Sequence, residues 1–175
     1  NAHKRGIRGA IQAGIRRAKP TKKQMNRSRK AVEGALVTGS NISILCVDFV
    51  DAFESVDHAR LHAIMEAMGI PSDAVDVVKN LYEGASIKVR TPKGDTASIP
   101  IDGRGTVQGD TLNPLLFLIF IEPLLRCLTD EQKCYNFKTT YATLGPTASA
   151  DDLAIVTSRP QDRQAQARQV HNFCQ

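Results

Sequence analysis

The stretch Ile42 to Val50, Ile-Ser-Ile-Leu-Cys-Val-Asp-Phe-Val, constrains the fold of this chain more than any other, because it is apolar at both odd and even positions. Side chains of a strand alternate between two faces, so such a run predicts a strand covered on both sides, in the middle of a sheet. Asp48 stands at its far end. An ionised carboxylate closing an apolar strand is costly unless it is paired, hydrogen-bonded or metal-bound. Two readings of Asp48 stay open on this ground alone: a satisfied structural aspartate and a cation ligand.

The rest of the chain supplies helices and a hairpin. Thr21 to Leu36 reads as a basic helix with Thr21 as N-cap and Met25, Ala31, Val32, Ala35 and Leu36 facing inward. Two helices follow the strand, one carrying Leu61, Ile64, Met65 and Met68, the other starting near Ser72 and carrying Ala74, Val77, Val78 and Leu81, with Gly69-Ile70-Pro71 between them. Ile87 to Thr91 and Ala97 to Ile101 flank Pro92-Lys93-Gly94-Asp95 as a hairpin, whose alternating basic residues predict one wet face. Leu112 to Leu128 is a dense apolar helix that should be buried; it tolerates Pro114 in its first turn, and Pro123 should kink it or break it in two. Leu153 to Thr157 is a strand, and from Gln161 onward the pattern is that of another helix, which the C-terminus cuts short. With 175 residues, 42% of them hydrophobic, the expectation is one compact unit with a core of its own.

Charge is unevenly placed. Residues 1 to 40 carry eleven Lys and Arg against Glu33 alone, a net +10, while the remaining 135 hold twelve basic and seventeen acidic residues, a net −5. A basic front on an acidic body suits a polyanion, most often nucleic acid, held beside carboxylates that can hold cations; a solvated basic helix face is the alternative. The longest apolar run, Leu115 to Ile121, has seven residues, against roughly 20 needed to cross a bilayer. The first residues carry no signal-peptide pattern, so the expectation is an intracellular soluble domain with no membrane partner. Cys46, Cys127, Cys134 and Cys174 form no C-x-x-C pair, which predicts reduced thiols. His58 and His62 are spaced by four but lack a third metal ligand, so a packed or solvated pair is expected.

Three segments carry the chemistry: Asp48-Phe49-Val50-Asp51-Ala52-Phe53 continued by Glu54-Ser55-Val56-Asp57-His58; Gln108-Gly109-Asp110-Thr111-Leu112-Asn113-Pro114-Leu115-Leu116-Phe117; and Ala150-Asp151-Asp152-Leu153. Each alone is weak, since an Asp-Asp pair or a Gln-Gly pair is normally turn chemistry. In this order they resemble the reverse transcriptase domain, most closely that of non-LTR retrotransposons and more distantly that of group II introns. Gln12-Ala13-Gly14-Ile15-Arg16, Thr21 and Gln24 are similar to the family's fingers segment, so the resemblance runs from about Gln12 to Thr157.

The resemblance implies an α+β fold, a right-hand polymerase palm with an antiparallel sheet packed on helices and part of the fingers, without a thumb. It divides the chain into a basic fingers-side segment, 1–41, and a palm, 42–175, with an inserted helix and hairpin region at about 61–104. It implies an RNA-directed DNA polymerase that extends a DNA or RNA primer with dNTPs on an RNA template. Nucleotide addition builds charge on phosphoryl and leaving oxygens, which two Mg²⁺ ions roughly 3.5–4 Å apart neutralise, with Mn²⁺ as a substitute. By the family's pattern Asp48 and Asp151 bridge the ions, the Phe49 carbonyl is a further ligand, and Asp152, on the alternate face, supports them. Phe53 takes the place of the ring that lies under the sugar of the incoming nucleotide and clashes with a 2′-hydroxyl; the alternative is an ordinary core phenylalanine. Gln108 and Gly109 take the places beside the nucleotide and template base, and Arg16, Arg17, Lys22 and Lys23 contact nucleic acid.

The match departs from the pattern in places. Ser149 replaces the usual aromatic before Ala-Asp-Asp, Asp51 replaces a basic or small polar residue, Thr111 and Asn113 replace Pro and Ser, and Ile15 replaces Phe. Gly145-Pro146 should weaken the strand leading to Ser149. No endonuclease or DNA-binding segment is legible. The competing function is a non-catalytic RNA-binding scaffold that kept the palm, with a metal-dependent nuclease third. A eukaryotic retroelement would place the protein in the nucleus, any other source in the cytoplasm; protein partners are not legible.

Overall fold

The computed structural model describes residues 21–106, 111–129, 132–140, 142–149 and 152–175. In chain order the elements are α1 (Thr21–Thr38), β1 (Ser43–Asp48), α2 (His58–Ala67), α3 (Ser72–Tyr82), β2 (Ser86–Ile87), β3 (Arg90–Thr91), β4 (Gly94–Asp95), β5 (Ile99–Pro100), α4 (Asn113–Cys127), β6 (Tyr135–Asn136), β7 (Thr143–Leu144), β8 (Thr147–Ser149), β9 (Asp152–Thr157) and α5 (Pro160–Cys174). They fall into two units, one made of the described residues up to Val50 with Ile121–Gln175, the other of Asp51–Phe120.

The first unit is built on an antiparallel sheet of order β1-β9-β8. Ser43 pairs with Thr157 and Asp48 with Asp152, while Thr147 pairs with Ala154 and Ser149 with Asp152. The middle strand is therefore β9, in which Leu153, Ile155, Val156 and Thr157 are buried. The run from Ile42 to Val50 is not the doubly covered centre expected of it. Among the described residues β1 is an edge, with Leu45 and Val47 half-buried and Ile44, Cys46 and Asp48 exposed. Apolar composition does not distinguish a strand covered on two faces from one covered on a single face when the uncovered residues are also aliphatic.

Three contacts close this unit. Ala31 and Ala35 of α1 pack with Tyr135, Leu144 and Val156, flanked by Ile42 and Phe137. Alanines one turn apart make a narrow stripe, so Leu36 and Val37 point outward at 78% and 87% exposure, against the inward position expected for Leu36. Met25 and the capping role of Thr21 lie outside the described side chains. At the other end, Arg159 donates two hydrogen bonds to Asp162 at 2.7 and 3.0 Å, and the bond and charge of Asp162 raise its guanidinium pKa further. Gln166, fully buried, donates to the Leu128 carbonyl at 3.1 Å and so satisfies an acceptor just past the end of α4. Gly145-Pro146 separates β7 from β8, the interruption their chemistry predicts.

α4 runs unbroken through Pro123, so of the two outcomes expected there, a kink or a break, the break does not occur. One helix hydrogen bond is lost there, at a cost of about 3 kcal/mol. Leu116, Ile121, Leu124 and Leu125, each at most 2% exposed, offset it at roughly 1.5–3 kcal/mol apiece.

In the second unit, Asp57 caps α2 by accepting the Arg60 amide at 2.8 Å, and α2 turns His58, Leu61 and Met65 inward. α3 begins at Ser72 as expected but buries Val75, Val78 and Tyr82, leaving Val77 65% and Leu81 44% exposed. Tertiary packing selects the face, a choice that spacing alone left to Ala74, Val77, Val78 and Leu81. The hairpin is tighter than expected, with Thr91 opposite Gly94 and only Pro92-Lys93 between them, and β2 with β5 closing its base. Both of its faces are exposed rather than one.

The sheet yields a contrast in stability. Ile155→Ala, at a fully buried site, should cost about 2–5 kcal/mol, whereas Ile44→Ala on the exposed face of β1 should cost well under about 1 kcal/mol. Urea denaturation of both variants checks it.

Candidate functional site

Two clusters hold the residues to which the sequence points. In the first unit Asp48 ends β1 and Asp152 opens β9, and the two are register partners. Directly opposed residues of an antiparallel pair share a face, with Cβ atoms about 4.5–5.5 Å apart. Both side chains are exposed. Two carboxylates so placed repel one another, and a hard divalent cation relieves that repulsion while finding the oxygen donors it prefers. These two carboxylates supply hard oxygen donors of the kind that Mg²⁺ and Mn²⁺ take. Asp151 lies outside the described residues, and among the described residues no group of three metal-ligating side chains forms. Phe49 follows the strand, half-buried. The register sets Asp152 on the same side as Asp48; alternation sets it opposite Asp151, which lies outside the described residues.

In the second unit the segment from Phe53 to His58 is fastened to the segment from Gly103 to Thr106. The Phe53 carbonyl accepts the Thr106 amide at 2.9 Å and the Thr106 hydroxyl at 3.2 Å. The Val56 carbonyl accepts the Gly105 amide, and the Gly103 carbonyl accepts the His58 amide, both at 2.9 Å. The His58 ring donates from Nε2 to the Gly105 carbonyl at 2.7 Å, which fixes the proton on that nitrogen, and stacks on Tyr82 with centroids 4.6 Å apart. Arg104 and Asp57 add an ion pair at 3.9 Å. Gly105 has φ +90°, and a Cβ there would stand 3.2 Å from the Glu54 carbonyl oxygen, so the close approach requires glycine. The Phe53 ring rests against Phe117 of α4, centroids 5.2 Å apart. Asp51 takes a left-handed conformation, φ 48°, which aspartate tolerates better than most side chains.

A family model described as reverse transcriptase (RNA-dependent DNA polymerase) matches residues 7–175. The chain belongs to the reverse transcriptase family. It is similar to a retrovirus-related Pol polyprotein from a type-2 retrotransposable element of Drosophila melanogaster, 35% identical over 109 residues, or 62% of this chain and 10% of that protein. A Pol polyprotein from a type-1 retrotransposable element of Popillia japonica is 30% identical over 124 residues, 71% of this chain and 20% of that one. The chain thus spans a tenth to a fifth of these relatives' length, and its reverse transcriptase is of the non-LTR retrotransposon type. Among solved structures it is similar to apo telomerase from Candida tropicalis truncated from its C-terminal domain, with a TM-score of 0.56 and 13% identity over 87% of this chain and 31% of that one. Telomerase from the same organism in complex with a fragment of telomeric RNA gives 0.59 and 10% identity over 85% and 26%. At such identity the likeness shows the fold, a polymerase palm-like α+β arrangement.

Of the residues that the family's pattern marks, the structure thus brings Asp48 against Asp152 and braces Phe53 against Phe117. Gln108, Gly109, Asp151, Arg16 and Arg17 lie outside the described residues, as do the side chains of Lys22 and Lys23 in α1. Sequence reasoning missed the part played by His58 and Thr106. The signal was present in the unbroken run from Glu54 to His58, but a carbonyl 47 residues away is invisible to spacing.

His62 gives the second unit one source of pH dependence. Its Nε2 is buried without a hydrogen-bond partner, and burial first, then the charges of Lys79 and His58, lower its pKa below 6.5, with Glu66 and Asp57 opposing. The unfolded chain therefore binds this proton more readily, so the contribution is complete above the unfolded pKa and is lost as pH falls through it towards the folded value. The melting temperature should drop between about pH 7.5 and about pH 5.5, and His62→Gln should flatten that drop; thermal melts across the range decide it.

Proposed function

We propose that this domain is an RNA-directed DNA polymerase that adds deoxynucleotides to a primer 3′ end on an RNA template. The observation that carries the reading is the pair of exposed carboxylates, Asp48 and Asp152, directly opposed at one end of the sheet in a chain of this family. Asp48, Asp151 and the Phe49 carbonyl would hold two Mg²⁺ ions, with Mn²⁺ as a substitute. Bound there, the ions supply neutralising charge for the phosphoryl and leaving oxygens.

The chain's own residues do the rest. Asp152, on the face of Asp48, adds negative charge that holds cations in place and keeps the Asp48 carboxylate facing them. Phe53 excludes a 2′-hydroxyl, since a ring backed by Phe117 has little room to retreat. Gln108 supplies an amide and Gly109 a backbone without a side chain, which together admit the nucleotide and its template partner. Arg16, Arg17, Lys22 and Lys23 neutralise template phosphates, which makes RNA binding steeply salt-dependent. A non-LTR retrotransposon relative and a telomerase bound to RNA support the choice of template.

Primer extension on an RNA template with dNTPs and Mg²⁺, using protein from the complete open reading frame, tests the reading. Asp48→Asn should lower extension by roughly a thousandfold, the scale on which transition-state charge stabilisation acts, while RNA affinity changes by less than about twofold, because no template phosphate is neutralised by Asp48. Absence of extension by the unsubstituted protein, with salt-sensitive RNA binding retained, would replace the polymerase with an RNA-binding scaffold.

A further inference from the structure

The clasp in the second unit does more than close a loop. A single acceptor, the Phe53 carbonyl, receives both the amide and the hydroxyl of Thr106, at 2.9 and 3.2 Å. Thr106 is itself buried, at 4% exposure, so water does not compete for these bonds. The next residue back, Gly105, is held from two sides: its amide by Val56 and its carbonyl by the His58 ring at 2.7 Å. His58 is 8% exposed and backed by Tyr82, so its ring has a fixed place from which to donate. The backbone of Phe53 is thereby pinned through Thr106 to Gly105 and His58, while its ring is stopped by Phe117.

From this geometry we infer that Thr106 and His58 are positioning residues for Phe53, and that they set the discrimination between deoxyribonucleotides and ribonucleotides. The inference rests on the polymerase reading above. The physical basis is that a steric filter works only as well as its wall is stiff. A 2′-hydroxyl differs from hydrogen by little more than an ångström of reach, so a ring free to shift by that much rejects nothing. Hydrogen bonds to the main chain and a ring contact constrain Phe53 at both ends.

The test compares kcat/KM for a dNTP and for the matching rNTP in primer extension by protein from the complete open reading frame. Thr106→Val keeps the shape and the amide bond but deletes the hydroxyl; His58→Phe keeps the ring on Tyr82 but deletes the donor. Each should lower the dNTP-to-rNTP ratio roughly fivefold, the worth of one hydrogen bond, chiefly by raising rNTP use. Thr106→Ser and His58→Gln keep donors and should restore the ratio. A merely structural role would lower dNTP and rNTP use together and leave the ratio unmoved, which would overturn the inference. Phe117→Leu keeps the core apolar but removes the ring contact, and it serves where the clasp variants melt below the assay temperature; an unchanged ratio in that variant also overturns it. Failure of the unsubstituted protein to extend with dNTPs defeats the polymerase reading and the inference built on it, whereas failure of the inference alone leaves dNTP extension intact.

Discussion

The register between β1 and β9 is the constraint on which the first unit's chemistry depends. Strand side chains repeat every two residues, so a slip of one would carry Asp152 to the opposite face from Asp48 and set Leu153 or Asp151 across from it instead. The register is secured where the sheet is driest. Thr157 is fully buried, and its single hydroxyl proton is shared between the Arg159 carbonyl at 3.1 Å and the Ser43 carbonyl at 3.5 Å, so the far end of the pair is anchored to the start of α5. Leu153, Ile155 and Val156 are buried along β9, and reversing them would expose aliphatic surface at about 25 cal/mol per Å². The stable end of the sheet thus holds the charged end in place, although two facing carboxylates would not choose one another.

The second unit solves a related problem by other means. Its central loop segments bury Ala52, Val56 and Thr106, and backbone hydrogen bonds fasten them together, completed by one histidine ring. Buried hydrogen bonds of this kind contribute modestly when made and cost more when broken, because an orphaned carbonyl keeps its desolvation penalty. Specificity of conformation, rather than bulk stability, is what such a clasp provides. Asn113 shows the same economy at the start of α4, where its Oδ1 accepts from the Tyr82 hydroxyl at 3.3 Å while its Nδ2 is buried without a partner.

Much of this was legible in the residues. α2, β9, the extent of α4 and the Gly145-Pro146 interruption stand where the residue pattern put them, because local rules and packing agree there, whereas Pro123 did not divide α4. The order of the aspartate motifs and of Gln108-Gly109 carried the family. Less was legible where two solutions share one pattern. Ala74, Val77, Val78 and Leu81 satisfy helical spacing as well as Val75, Val78 and Tyr82 do, and tertiary packing, which buries the second set, decides between them. The exposure of Ile44 and Cys46 depends on what covers the sheet, which no single strand encodes. The pairing of Asp48 with Asp152 is a property of register, secured at the dry end of the sheet rather than by either motif. The clasp from His58 to Gly105 is a long-range contact with no periodic signature at all.

The hairpin of β2 to β5 is the opposite case from the sheet. Its strands are two residues long, its side chains are exposed on both faces, and Ile87, Val89 and Ile99 lie about half in water. Little buried surface is lost when it opens, so its amides should exchange with solvent far sooner than those of β9, at a free energy well below that of global unfolding. Evolutionary drift there is decoupled from foldability. Lys88, Arg90 and Lys93 can change sign, spacing or number while the buried residues of their own unit keep their composition, which makes this hairpin a place where the lineage can vary at little cost.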